Sequence, residues 1–240
     1  MSAYRQNPLD NLTPVVKNLL IINIIFFVGN WFLQYSGINL EPYLAAHYFN
    51  APIFRAWQII TYMFMHGNLM HIFFNMFALF TLGPALEYTM GPKRFLQYYF
   101  ITGIGALALQ MLVQAFEVYQ VAGTFILPHG DISPYFAQPN FNKLVEIYSP
   151  QSGIVGASGA IFGLLVAFGM LFPNIELFIM FIPLPIKAKY FVIGYILIEL
   201  YSGIAQSPGD SVAHWAHLGG ALFGFILIKI WGMRRPNNFY

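Results

Sequence analysis

The sequence predicts an all-α polytopic membrane protein with six transmembrane helices. Hydrophobic residues make up 58% of the 240 residues, where a soluble globular chain carries ~45–50% even with Gly counted. Charged residues are 8%, against a usual ~25%, too few to cover the surface of a soluble domain of this size. The apolar residues gather into runs of about 20, the length a helix needs to cross ~30 Å of hydrocarbon. The same figures exclude disorder, which needs low hydrophobicity and high charge. Aromatics, at 18%, suit a chain with membrane–water interfaces to occupy. A net charge of +2, with no basic cluster longer than Arg234-Arg235, gives no sign of a nucleic-acid partner; the lipid bilayer is the expected one. The absence of Cys excludes disulfides, thiolate metal sites and a Cys nucleophile.

Residues 1–17 are polar and carry no compact cleavable signal, so they read as a short inner N-terminal segment and the first apolar run as a retained span. Span one covers about Asn18–Tyr35. Span two covers about Ile59–Leu86, inside a stretch from Ala56 to Leu86 without Asp, Glu, Lys or Arg. Span three, about Phe95–Phe116, is also free of formal charge. Span four is about Gly153–Phe172, span five about Tyr190–Ile204 with Glu199 inside it, and span six about Ser211–Ile230. The membrane domain is thus residues 18–232, followed by a short tail at 233–240.

Charge placement orients the spans. With the N-terminus inside, nine of the 11 Lys and Arg fall on inner segments, and only Arg55 and Lys143 fall outside, as the positive-inside rule requires. The first outer loop, about 36–57, is apolar and aromatic for a loop and reads as partly embedded in the interface. The second, about 117–152, holds Pro128, Pro134, Pro139 and Pro150, which break regular structure; a short helix fits near Asn142–Tyr148. No internal repeat is visible, so an inverted-repeat transporter draws no support.

Three polar constellations lie inside the spans, where buried polar groups are costly and point to function. Span four opens with Gly156-Ala157-Ser158-Gly159-Ala160-Ile161-Phe162-Gly163. Gly159 and Gly163 form a small-residue contact face, which is a packing reading; alternatively the glycines expose the Ser158 hydroxyl. The run does not match the G-x-S-x-G elbow, because Ala160 stands at its last glycine. Span six carries Ala216-His217-Leu218-Gly219-Gly220. Its His217 is either a hydrogen-bonded packing residue or, if spans four and six touch, a base for the serine proton. A metal site on His214 and His217 lacks a third ligand with helical spacing. Span two begins with His66-Gly67-Asn68-Leu69-Met70-His71 and continues to Asn75. His71 and Asn75, four apart, share a helix face and serve either as polar glue or as an oxyanion-binding pair. All three constellations sit in the outer halves of their spans.

Together these residues resemble the rhomboid intramembrane serine proteases, in order and in span number, over residues about 18–230. The specific parts are Gly156-Ala157-Ser158-Gly159, Ala216-His217-Leu218-Gly219-Gly220 and His71-x-x-x-Asn75, with Met65-His66-Gly67 before them. The resemblance implies a six-helix rhomboid-like bundle with a water-filled cavity open to the outside. It implies a Ser158–His217 dyad without an Asp, and an oxyanion held by His71, Asn75 and the Ser158 N–H. It implies that Phe162 stacks on His217, and that Gly219 and Gly220 let span six touch span four. Trp57 resembles an aromatic of the first outer loop; Gln58 follows it where some members carry Arg. Glu87 resembles a structural acidic residue at the inner end of span two. Substrates would be transmembrane protein segments entering sideways, with Gly or Pro easing local unwinding and small residues at the cut. No cofactor or metal is implied, and activity would fall at acidic pH as His217 gains a proton.

Two other classes compete. An inactive relative that binds membrane proteins without cleaving them would lack the Ser or the His, and both are present. A transporter lined by His71, Asn75, His217 and Glu199 would need helix breaks near the midplane, whereas Pro183 and Pro185 fall near the inner end of span five. Glu199 has either a packing or a gating role. The polar N-terminus fits a bacterial inner membrane with both termini cytoplasmic, and the sequence carries no mark of oligomeric state.

Overall fold

The structure, a computed structural model, describes residues 12–178, 185–205 and 212–235. Most of the inner N-terminal segment, Pro183, Ser211 and the last five residues lie outside that set. Among the described residues, six of the helices correspond to the six expected spans.

Helix α1, Pro14–Tyr35, opens with Pro at its first position, where a missing N–H costs nothing. Its free N-terminal amides are met from elsewhere: the Glu87 carboxylate accepts from Val15 N–H at 3.0 Å and Val16 N–H at 2.9 Å, and from the Thr13 hydroxyl. A buried carboxylate at the positive end of a helix satisfies orphan donors and the dipole together. Glu87, 2% exposed, thereby ties α1 to the far end of span two.

The first outer loop is structured. It holds α2, Glu41–Leu44, a buried stretch from Ala45 to Tyr48, then α3, Gln58–Thr61, and a 3₁₀ turn, Tyr62–Phe64. Gln58 knits it, accepting from Arg55 N–H at 3.1 Å and donating to the Pro42 and Ile53 carbonyls. Trp57 donates its indole N–H to the Tyr43 carbonyl at 2.9 Å.

Span two therefore starts later than expected. Helix α4 is Leu69–Met90, and Ile59–Asn68 lie outside it. The start is set by Asn68, extended at φ −160°, whose side chain accepts the His71 N–H at 2.8 Å. Hydropathy sees an apolar run from Ile59 to Met65; the cap marks the boundary.

Gly91, at φ 78°, separates α4 from α5, Pro92–Ala122. At 31 residues α5 is about 46 Å long, well beyond a ~30 Å hydrocarbon core. The second outer loop accordingly begins at Gly123, not Glu117. No Gly or Pro lies between Glu117 and Gly123, and Ala115, Val118 and Val121 gain a core of their own with Tyr48, Leu127, Leu144 and Ile147. That satellite core joins both outer loops: α6, Phe141–Tyr148, supplies its outer side, and Tyr48 donates to the Phe125 carbonyl at 2.8 Å.

Helix α7, Ser158–Leu171, is the centre of the bundle, buried along nearly all its length between α4, α5, α8 and α9. A short antiparallel hairpin follows at the end of α7 opposite Ser158, β1 Glu176–Phe178 with β2 Pro185–Lys187, pairing Glu176 with Lys187 and Leu177 with Ile186. Helix α8, Ala188–Ala205, and α9, His214–Ile230, complete the bundle. Among the described residues, four helices, α1, α4, α5 and α8, are long and apolar enough to cross a membrane. The other two, α7 and α9, have 14 and 17 residues, only about 21 and 25 Å. Large apolar side chains on α1 and α8, among them Ile25, Trp31, Phe32, Ile198 and Ile204, face outward, as a lipid-facing surface requires.

Candidate active site

The short α7 shapes the site. Irregular backbone at membrane depth is tolerated only where protein or a water-filled cavity surrounds it. The segment leading into α7 meets that condition. Ile154 exchanges two backbone hydrogen bonds with Ala46, at 2.8 and 2.9 Å, and Gly156 N–H donates to the Tyr62 carbonyl at 2.9 Å. Gly156 sits at φ 125°, which L residues rarely adopt, and a Cβ there would lie 2.6 Å from His71 Nε2. Backbone conformation and contact both demand glycine. The chain then turns into α7 with Ser158 as its first residue, so the hydroxyl is presented at the helix start.

Helix α9 brings the histidine. Gly220 packs directly on α7: a Cβ would lie 1.8 Å from the Gly159 carbonyl oxygen. Gly224 continues the contact against Gly163, at 2.9 Å from its Cα. Gly219 differs from expectation. It faces α5, where a Cβ would lie 2.9 Å from Ala106 Cα and 3.0 Å from the Gly105 carbonyl oxygen. Adjacent residues of a helix point about 100° apart, so neighbouring glycines serve different partners. Gly159 has the same relation to α5, its absent Cβ facing Ala106 at 2.4 Å.

This packing sets His217 Nε2 at 2.8 Å from Ser158 Oγ. Phe162, one turn below Ser158, lies flat on the imidazole, centroids 4.3 Å apart and planes 10° from parallel. The other imidazole nitrogen, Nδ1, is 2.9 Å from Glu199 Oε2. His214 Nδ1 meets the same oxygen at 2.7 Å. Ser158, His217 and Glu199 thus form one continuous chain across α7, α9 and α8.

The sequence singled out Glu199 as a charge in an otherwise uncharged span, yet assigned it no partner. Its partners lie 15 and 18 residues away on the next helix, a relation no local spacing displays. The third candidate metal ligand missing from the sequence reading is also Glu199: it, His214 and His217 place one ligand atom each within 4.8 Å. The spacing favours hydrogen bonds. Two ligands of a tetrahedral zinc, each 2.0–2.1 Å from the ion, lie ~3.3 Å apart, farther than the 2.7 and 2.9 Å found here.

His71 stands on α4 with its Nε2 beside Gly156, close to Ser158, and its ring edge-on to His66 at 5.1 Å. Asn75, one turn further along the same face, is buried, and its Nδ2 has no hydrogen-bond partner among the described residues. A cavity of about 450 Å³ flanks this end of α4, lined by Asn30 and Trp31 of α1, Glu41, His66, Asn68 and Val155. The arrangement offers a hydroxyl, a nitrogen able to accept its proton, and N–H donors at the start of α7 and on α4, all at one end of the bundle.

Comparison with known proteins agrees with the fold. The family model described as Rhomboid domain matches residues 54–234. The chain is 26% identical over 216 residues to an uncharacterized mitochondrial rhomboid protein of Schizosaccharomyces pombe, covering 79% of this chain and 55% of that protein. It is 28% identical over 231 residues to a chloroplastic rhomboid-like protein of Arabidopsis thaliana, covering 88% and 62%. It is 27% identical over 184 residues to the rhomboid protease AarA of Providencia stuartii, covering 71% and 54%. The chain therefore spans little more than half the length of these relatives. Two of their names place them in organelles, so the comparisons do not support assignment to a bacterial inner membrane.

Proposed function

The chain belongs to the rhomboid family, and from that premise we propose that it is an intramembrane serine endopeptidase acting on transmembrane segments of other proteins. The observation that carries this reading is the 2.8 Å contact between Ser158 Oγ and His217 Nε2 at one end of a membrane bundle. A hydroxyl is a weak nucleophile until a neighbouring base accepts its proton. In this reading the Ser158 oxygen attacks the scissile carbonyl carbon as its proton passes to His217 Nε2. The peptide C–N bond breaks, the imidazolium protonates the departing amine, and water hydrolyses the acyl-serine with His217 again as base. Phe162 keeps the imidazole plane fixed during both transfers.

The negative oxygen of the tetrahedral intermediate is stabilised by preorganised donors. The Ser158 N–H belongs to the first turn of α7, whose amides lack intrahelical acceptors. In this reading His71, beside Gly156, and Asn75, on the same face of α4, supply the further donors. Substrate enters laterally from the bilayer, and a helix-weakening Gly or Pro frees the bond to be cut. The charge distribution supports an orientation with both termini in the cytoplasm and the site near the opposite face. The chemistry requires no cofactor.

The test is cleavage in proteoliposomes of a fluorogenic single-span substrate with Gly or Pro near its outer end. Wild type should cleave it, and Ser158→Ala and His217→Ala should each lose activity by ~10³-fold or more. Equal cleavage by wild type and Ser158→Ala would overturn the reading.

A further inference from the structure

We propose that Glu199 is a positioning residue for His217, making the site a Ser–His–Glu chain; this deepens, and rests on, the protease reading above. A neutral imidazole carries its proton on one nitrogen only. For Nε2 to accept the Ser158 proton, that proton must sit on Nδ1. The group facing Nδ1 is the Glu199 carboxylate at 2.9 Å, which when ionised accepts hydrogen bonds and donates none. Glu199 thereby selects the tautomer that leaves the Nε2 lone pair aimed at Ser158 Oγ, 2.8 Å away.

The surrounding contacts give this choice rigidity. Phe162 fixes the plane of the ring from one face, but stacking leaves the 180° flip about Cβ–Cγ free. Glu199 and Ser158, at opposite ring nitrogens, remove that freedom. The carboxylate is 4% exposed, and a buried carboxylate is costly without donors. His214 supplies a second one, its Nδ1 at 2.7 Å from the same Oε2. Gly203 lets α8 lie close to the start of α9, where a Cβ would stand 3.4 Å from His214 Cβ. A mere tie between α8 and α9 would need only one of these contacts; the second runs to the histidine that touches the serine.

The variants Glu199→Gln and Glu199→Asp test this in the full-length protein, in the proteoliposome assay with Ser158→Ala and His217→Ala alongside. A glutamine has the same size but is neutral, and with its NH₂ turned to Nδ1 it drives the proton to Nε2, the wrong tautomer for a base. Glu199→Gln should lower kcat by up to ~10⁴-fold, the loss that the corresponding change causes in a soluble Ser–His–Asp enzyme. KM should stay within about twofold and the melting midpoint within a few degrees, because substrate contacts and packing are retained. Glu199→Asp, which keeps the charge, should recover at least about tenfold over Gln.

A Glu199→Gln kcat within about threefold of wild type, with Ser158→Ala and His217→Ala inactive, would overturn the positioning role and leave the protease reading standing. Cleavage by Ser158→Ala would instead overturn the protease reading itself. The tautomer can also be read in the wild-type protein, independently of any variant's folding. With ¹⁵N-labelled histidine, the neutral form of His217 should carry its proton on Nδ1, and an Nε2–H signal would overturn the proposal. Chelators should leave the rate unchanged; activity that requires added Zn²⁺ would assign the cluster to a metal and refute it.

Discussion

Gly220→Ala probes the contact on which the whole site depends. The new methyl carbon would lie 1.8 Å from the Gly159 carbonyl oxygen and 2.7 Å from its carbonyl carbon. Carbon and carbonyl oxygen settle at ~3.3–3.6 Å, so α7 and α9 must separate by about 1.5 Å at that point. Neither atom on the α7 side is the movable end of a side chain, so backbone must shift. Overpacking of this kind costs about 1–3 kcal/mol. The functional loss should be larger in proportion, because Gly159 is the residue after the serine. Separation by that amount stretches the 2.8 Å contact between Ser158 and His217 beyond hydrogen-bond range. A misplacement of ~1 Å can cost ~10²-fold in rate. The assay is the rate of fluorophosphonate labelling in detergent, read beside the melting midpoint. Gly194→Ala on α8 is the control, since nothing lies within 4 Å of a Cβ there; a helical Gly→Ala change of that kind adds ~0.5–1 kcal/mol of stability. Gly220→Ala labelled at the wild-type rate would refute the inference that helix contact at this glycine sets the serine–histidine geometry.

Asn75→Ala should lower kcat by on the order of 10²-fold or less, because His71 and the Ser158 N–H remain as donors; a loss equal to that of Ser158→Ala would show that Asn75 holds the fold instead. Glu87→Ala leaves the Val15 and Val16 amides without their acceptor, and should lower unfolding stability by about 2–3 kcal/mol, measured as an unfolding midpoint in mixed micelles; an unchanged midpoint would contradict its capping role. His47, in the first outer loop, is 2% exposed, and burial holds its pKa below the ordinary value despite an opposing backbone contact with Glu41. A lowered histidine pKa means that the unfolded loop binds the proton more readily, so local stability is full above ~pH 6.5 and declines as pH falls below it. Amide exchange at residues 45–47 and 153–154, corrected for intrinsic rates, should therefore quicken toward pH 5, and His47→Gln should flatten that dependence.

Much of the fold is legible in the sequence because hydropathy reports what a membrane demands. All six expected spans correspond to helices, and the apolar runs of α1 and α8 are visible without any tertiary information. Boundaries escape the same signal. Ile59–Met65 are as apolar as a span, but Gln58 and Asn68 spend their polar groups on loop and cap contacts, and Tyr62 donates to the Gly103 carbonyl of α5. The end of α5 is hidden in a different way: residues up to Ala122 remain helical because the outer loops cover them. The hairpin after α7 is equally hidden, its strands of three residues being too short to show a period.

At the site, Ser158, His217, His71 and Asn75 stand out in the sequence as polar residues in apolar surroundings. Glu199 stands out for the same reason, but its meaning depends on how α8 is rotated against α9. The two glycines of span six illustrate the same limit. Side by side in sequence, Gly219 and Gly220 are indistinguishable, while in the bundle one receives α5 and the other α7.

An activated serine inside a membrane bundle is tested by fluorophosphonate labelling of purified wild type beside Ser158→Ala and His217→Ala. Label is expected on wild type alone, with all three proteins folded. Label on none of them would contradict it and favour a rhomboid-like protein that binds membrane proteins without cleaving them.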